Sequence, residues 1–277
     1  MKTILDTIAA YARQRVEKAR KIFPLKELKE LALSQNCSTG FPFEKALTTD
    51  KISFICECKK ASPSKGLIAE DFPYLTIARE YEAAGASCIS VLTEPKWFLG
   101  KNDYLKEISR AVSVPCIRKD FIIDEYMIYE AKLLGASAVL LICSLLSTDT
   151  LKYYIDICDS LGLSALAEAH NEKEIASAVA AKARIIGVNN RNLKDFTVDI
   201  QNSVKLRSFV PENILFVAES GIRSPEHIKV LEAANVNAVL IGETLMCAKN
   251  KKAMLDWLRG SSNLQAARKN EMTINML

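Results

Sequence analysis

Four times along the chain, a helix-like stretch ends in a small-residue turn and runs straight into an apolar, β-rich segment. These are AAGASCISVLT (83–93), LLGASAVLLIC (133–143), AAKARIIGVNN (180–190) and AANVNAVLIGE (233–243). Gly, Lys or Asn follows the helix in each. Gly or Asn there suits a left-handed helix cap. The strand runs are almost continuously apolar instead of alternating, the pattern of parallel strands covered on both faces. Eight such runs are predicted, near 52–58, 88–92, 115–119, 138–143, 163–168, 184–189, 214–218 and 238–242. Their starts lie 21 to 36 residues apart, room for one crossover helix each. YLTIAREYEAA (74–84), DEYMIYEAKLL (124–134) and PEHIKVLEAA (225–234) are three of those helices.

Eight strands with eight crossovers predict an α/β chain closed into a (β/α)8 TIM barrel. An open doubly wound sheet is the alternative if one strand is miscounted. The chain has 277 residues, about the size of one barrel with modest additions. The expected domain is a single barrel over 1–260. Residues 1–47 form an N-terminal helical extension of one or two helices, covering a barrel end. Ile4, Ile8, Tyr11 and Ala12 share a helical face, and Pro24 opens a second stretch. The segment 261–277 is expected to be a flexible tail.

The formal charge is +4, but residues 46–247 carry a net −4. That argues against a nucleic-acid face on the main body, which needs clustered Lys and Arg. The longest uncharged apolar stretch, Leu133 to Thr148, has 16 residues, short of the roughly 20 that span a membrane. The start carries Asp6 and no long apolar block, unlike a secretory signal. Eight cysteines without paired CxxC spacing read as reduced, buried hydrophobes. Together these point to a cytoplasmic protein without a membrane partner. Only two histidines occur, His170 and His227. No metal site is expected; His170 reads as a satisfied loop histidine.

Alternation along each strand makes the charged residues informative. Glu57 and Lys59 share a face with Ser53 and Ile55, while Phe54, Cys56 and Cys58 take the other. The same counting turns Lys119, Glu168, Glu219 and, after strand six, Asn189 and Arg191 into the barrel. All lie at the strands' C-terminal ends, where the active sites of this fold are built. One charged residue at a strand end is ordinarily a solvated loop residue. Three acids and three bases at the same end, able to pair, are equipment for proton transfer. The loops after strands seven and eight contain Ser220, Gly221 and Gly242, where this fold often binds phosphate. Ser224-Pro225 suits the start of the next helix. Plain turn chemistry would also explain these residues. Lys59 could reach the same anion. Phe98 and Phe121, near strand ends two and three, can wall an aromatic substrate.

Seven segments then carry a resemblance. ECKKASPSKG (57–66), SVLTEPKWFLG (90–100), IRKDFIIDEY (117–126), ALAEAHNEKE (165–174), IIGVNNRNL (185–193), VAESGI (217–222) and LIGETLM (240–246) resemble indole-3-glycerol phosphate synthases in order and spacing. The match extends over about 1–258, with Lys101, Met127 and Asn235 as departures from the family's usual Ser, Gln and Gly. The resemblance implies a cofactor-free carboxy-lyase of tryptophan biosynthesis. It would convert 1-(2-carboxyphenylamino)-1-deoxyribulose 5-phosphate to indole-3-glycerol phosphate, CO₂ and water. Lys119 is implied as general acid and Glu168 as the group that stabilises positive charge on the ring and helps in proton removal. Glu57 and Lys59 would assist dehydration, with the donor between them left open. Asn189, Glu219 and Ser220 would orient. Ser62, Arg191, Gly221, Gly242 and Glu243, the last through its backbone, match the phosphate region. Phe98, Phe121 and Leu140 match the anthranilate pocket. The expected partner is the phosphorylated substrate, and the expected state a monomer or weak homo-oligomer. Two rivals are a phosphoribosylanthranilate isomerase-like barrel and an inactive binding scaffold. The isomerase would need a Cys acid, yet Cys58 should face outward; the scaffold would not need the six charges.

Overall fold

A computed structural model describes residues 3–192 and 195–261. Its eight parallel strands are β1 (Ser53–Cys58), β2 (Cys88–Leu92), β3 (Cys116–Lys119), β4 (Ala138–Ile142), β5 (Ser164–Ala169), β6 (Ile185–Asn189), β7 (Leu215–Glu219) and β8 (Ala238–Ile241). Each pairs with its predecessor, and β8 closes on β1 with Ser53 opposite Ala238 and Cys56 opposite Ile241. The closed sheet is the expected (β/α)8 barrel, and the open-sheet alternative is excluded. All eight predicted strands lie within two residues of their expected limits.

Helices follow the strands in sequence. They are α4 (Tyr74–Ala83), α5 (Asn102–Ala111), α6 (Tyr126–Leu133), α7 (Thr148–Ser160), α8 (Glu172–Ala180), α9 (Gln201–Arg207), α10 (Pro225–Ala233), α11 (Glu243–Cys247) and α12 (Lys251–Leu258). The four repeated turns share one backbone conformation: φ is 80° at Gly85, 84° at Gly135, 63° at Lys182 and 56° at Asn235. The Asn thus serves as Gly does elsewhere, while Lys182 holds a position that costs a side-chain-bearing residue about 1–2 kcal/mol.

Two apolar layers result. Outward strand residues such as Phe54, Cys56, Val139, Ala167 and Phe216 pack under the helices. Inward ones, Ile55, Ile117, Leu140, Leu166, Ile185, Val217 and Leu240, fill the barrel. Each fully buried Ile or Leu contributes about 1.5–3 kcal/mol of transfer free energy. Six cysteines are buried, and Cys58 belongs to the outer layer, as alternation required. Among the described residues, no helix is long and apolar enough to cross a membrane, and no group of residues has the make-up of a metal site.

The N-terminal extension differs from its expectation. It holds three helices: α1 (Ile4–Ile22), α2 (Leu25–Leu33) and α3 (Pro42–Leu47). They serve both barrel ends. Phe43 and Leu47 of α3 join the interior core at the strands' N-terminal end, and the Ser53 hydroxyl donates to the Ala46 carbonyl at 3.0 Å. Ile4, Leu5 and Ile8 of α1 line the cleft at the other end. α2 packs on α6. The expected tail lies, apart from Ser261, outside the described residues.

Candidate active site

Strand register brings the charges together. Glu57 on β1, Lys119 on β3, Glu168 on β5 and Glu219 on β7 are the last inward side chains of alternate strands. Lys119 Nζ stands 3.0 Å from Glu168 Oε2 and 3.1 Å from Glu219 Oε2. Lys59 Nζ lies 2.6 Å from Glu57 Oε1, and Ser90 Oγ lies 3.4 Å from Glu57 Oε2. Gly187 of β6 explains how Glu219 fits. A Cβ there would collide with Glu219 Oε1, so a side chain at 187 would push that carboxylate from its place.

The ionisation states follow from this packing. Burial alone would lower Lys119, but Glu168, Glu219 and Glu57 outweigh it and raise its pKa. Burial alone would raise Glu168, but Lys119, His170 and hydrogen bonds from Lys119 and Asn189 hold it below the usual carboxylate range. Glu219 goes the other way. Burial, with the charges of Glu168 and Glu57, prevails over Lys119 and pushes it up to about 7. Its Oε1 has no hydrogen-bond partner among the described residues, which fits a carboxyl that readily keeps a proton. One cation therefore serves one firmly ionised and one protonatable acid, a division useful for proton transfer.

Lys119 is also braced from behind. Arg118, on the outer face of β3, and Asp120, just past the strand at the edge of the cleft, flank it in sequence, both almost fully buried. Asp120 accepts from Arg15 Nη2 at 2.7 Å, Arg15 Nη1 at 3.2 Å and Thr93 Oγ1 at 2.7 Å, and Arg118 Nη2 lies 3.6 Å away. Arg118 also reaches Glu130 at 2.6 Å and the Met127 carbonyl at 2.8 Å. Since Arg15 belongs to α1, this network ties the cleft's cover to the strand carrying Lys119.

The apolar wall comes from two loops. Phe98 and Phe121 lie with ring centroids 5.9 Å apart. The loop after β2 winds around the buried Glu94, which accepts the N–H groups of Lys96 at 3.0 Å, Trp97 at 2.7 Å and Phe98 at 3.0 Å. Those bonds set the direction of Phe98. Leu140 completes the wall from within the barrel.

Opposite lies a backbone-rich rim. Ser220 and Gly221 are consecutive residues at positive φ, 68° and 80°. For Ser220 that is a strained conformation of the kind concentrated at functional sites. A Cβ on Gly221 would meet Val198, and one on Gly242 would meet Glu57 and, at 2.7 Å, Lys59 Nζ. Arg191 projects from the loop after β6, paired with Glu243 at 3.4 Å. Ser62 sits in a small hairpin of Ala61–Ser62 and Gly66–Leu67. Ser224 caps α10 as expected, accepting from the His227 N–H at 3.4 Å.

All fifteen sequence-predicted residues line this one cleft: Glu57, Lys59, Ser62, Phe98, Lys119, Phe121, Leu140, Glu168, Asn189, Arg191, Glu219, Ser220, Gly221, Gly242 and Glu243. Sequence reasoning missed several neighbours. The Glu243 side chain, expected to count only through its backbone, draws in Lys65 at 3.4 Å and Arg223 at 3.8 Å as well as Arg191. Phe196 lines the cleft at φ 61°, with no signal in its loop. Arg118 had one: a charge on the strand face that ought to be apolar; Asp120, just past the strand, had none. His170 is more than a loop histidine, because its ring lies against Glu168.

Comparison with known proteins shows where the chain belongs. Solved structures at low identity show the barrel alone. A thiamine phosphate pyrophosphorylase from Pyrococcus furiosus matches with TM-score 0.57 and 15% identity, covering 79% of this chain and 96% of that one. A chain of a tryptophan synthase complex from Pyrococcus furiosus gives 0.56 and 14%, covering 75% and 98%. Sequence relatives are much nearer. The indole-3-glycerol phosphate synthase of Ruminiclostridium cellulolyticum is 57% identical over 94% of this chain and 100% of its own. That of Endomicrobium trichonymphae is 56% identical over 89% and 96%. The family model for indole-3-glycerol phosphate synthase matches residues 5–258; the chain belongs to the indole-3-glycerol phosphate synthase family.

Proposed function

We propose that the cleft closes the indole ring of 1-(2-carboxyphenylamino)-1-deoxyribulose 5-phosphate with its residues in the following roles. The anthranilate ring lies against Phe98, Phe121 and Leu140. The phosphate lies on the backbone of Gly221, Gly242 and Glu243, beside Ser62 and Arg191. Those two anchors stretch the substrate across the charged floor, so that the ring carbon bearing the carboxylate meets the sugar ketone. As the carbon–carbon bond forms, the ketone oxygen becomes an alkoxide and takes the Lys119 proton. The ring takes on positive charge, which Glu168 stabilises. Loss of CO₂ returns an electron pair to the ring. Removal of a proton from the methylene carbon beside the nitrogen, now in the new five-membered ring, and departure of the new hydroxyl as water then give the indole. Glu57 and Lys59, paired at 2.6 Å, assist that departure. Asn189, Glu219 and Ser220 hold the acid and base in place.

The observation that carries this reading is the Lys119 ammonium held between Glu168 and Glu219 on the floor between an aromatic wall and a glycine-rich rim. The protein is read as one barrel domain over 1–260 with 1–47 as its cover. It works in the cytoplasm as a monomer or weak homo-oligomer, without nucleic-acid or membrane partners. Incubating it with the carboxyphenylamino-deoxyribulose phosphate should produce indole fluorescence with release of one CO₂ per turnover. Turnover of phosphoribosylanthranilate instead, or binding without product, would refute the reading.

A further inference from the structure

Glu168 has a neighbour that the roles above leave unused. His170 lies one residue beyond the end of β5, with a side chain only 18% exposed. Glu174, in the first turn of α8, holds it from one side. Glu174 Oε2 lies 3.1 Å from His170 Nδ1 and accepts the His170 backbone N–H at 2.8 Å. Glu174 is itself fixed, because Oε1 accepts Asn171 Nδ2 at 2.7 Å while Asn171 caps α8 through the Glu174 N–H at 3.1 Å. So clamped, the ring turns Nε2 toward Glu168 Oε1 at 3.5 Å. Nε2 is buried and makes no hydrogen bond to any described residue at ordinary distance. Both ring nitrogens thus face carboxylate oxygens. A neutral imidazole has one N–H and can satisfy only one of them; an imidazolium has two. A line of alternating charge runs from Glu174 through His170, Glu168 and Lys119 to Glu219.

We infer that His170 is a positioning residue for catalysis, a clamped imidazolium that keeps Glu168 ionised and aimed at the reacting ring. The inference rests on the role proposed above for Glu168. Burial alone would lower the His170 pKa, but the hydrogen bond with Glu174 and the charges of Glu168, Glu174 and Glu219 raise it. Other groups around it do not cancel this. Cys143, in the turn after β4, is pushed up to about 12 by burial and stays neutral. Lys119 stands beyond Glu168, and Glu172 on α8 faces Lys205 at 3.9 Å. The imidazolium therefore persists below its raised pKa, through the range in which Glu168 must stay unprotonated.

The test is the pH dependence of kcat and KM for His170→Asn, with Glu174→Gln as a milder variant and Glu168→Gln as comparator, each checked for folding by circular dichroism and melting. In His170→Asn, kcat at neutral pH should fall about 10-fold with KM nearly unchanged. Its acidic limb should move up by about one pH unit, because Glu168 loses a cation at close range. Glu174→Gln should move the limb the same way by less. A lowered melting temperature with wild-type kcat and an unmoved limb would make His170 merely structural and overturn the inference. An inactive Glu168→Gln beside a wild-type His170→Asn would sink this inference alone. A nearly active Glu168→Gln would sink the role of Glu168 and the inference with it.

Discussion

Replacing Lys119 by alanine should slow single-turnover ring closure by about 10²–10⁴-fold, the usual cost of removing a proton-transfer group. The expectation comes from charge balance. Glu57, Glu168 and Glu219 hold Lys119 in its charged form, so a proton is always available when the ketone oxygen turns into an alkoxide. An alkoxide is a stronger base than an amine, and the transfer runs downhill. No other cation stands between Glu168 and Glu219 among the described residues. Folding should survive the change. Glu219 is already pushed up to about 7, so it can take up a proton where the ammonium is lost. Rapid mixing with enzyme in excess isolates the chemical step from product release. A near-normal rate there would remove Lys119 as the acid.

The largest loss of stability is expected from Asp120→Ala. This carboxylate is fully buried between Arg15 and Arg118 and accepts a hydroxyl proton from Thr93. Burial would raise its pKa, yet the two arginines and the hydrogen bonds from Arg15 and Thr93 outweigh that and lower it. Deleting one partner of a buried ion pair strands the other, at about 3 kcal/mol or more. For a chain of this size that is roughly 6–12 °C in Tm. The carboxylate's contribution is present above its unfolded pKa and fades as pH falls through the lower folded one, so the difference between wild type and variant should shrink in acid. KM should also rise, because Arg15 ties α1 to the segment carrying Lys119. Arg15→Ala should cost less, since Arg118 keeps Asp120. Thermal and urea melts across pH check this, and a loss below about 1 kcal/mol would show the network to be incidental.

Why the floor of the cleft was legible and its surroundings were not has a physical basis. Alternation is a local rule, and the barrel interior is the one place where an inward charge must be answered. Glu57, Lys119, Glu168 and Glu219 could therefore be placed by counting along β1, β3, β5 and β7. Arg118 and Asp120 went unread beside Lys119, because their role rests on the contact of Asp120 with Arg15, 105 residues away. Helical amphipathicity says that α1 buries a face without saying against what, and the six residues of α3 are too few to show a periodicity at all. One covers the cleft and the other plugs the far end. Gly187 reads as an unremarkable strand residue until Glu219 is found in the space a side chain would fill. His170 sits next to a recognised strand end, yet its role depends on Glu174 reaching back from the following helix. Such contacts are set by tertiary packing and leave no periodic trace.

The most direct measurement is a crystal structure of the protein with indole-3-glycerol phosphate bound. The phosphate should lie on the backbone of Gly221 and Gly242, the indole between Phe98 and Phe121, and the glycerol chain over Lys119 and Glu168. A phosphate found instead in the second hollow, where Arg13 and Lys96 stand beside Trp97 and Ser144, or an indole turned toward Arg191, would contradict this orientation and the roles derived from it.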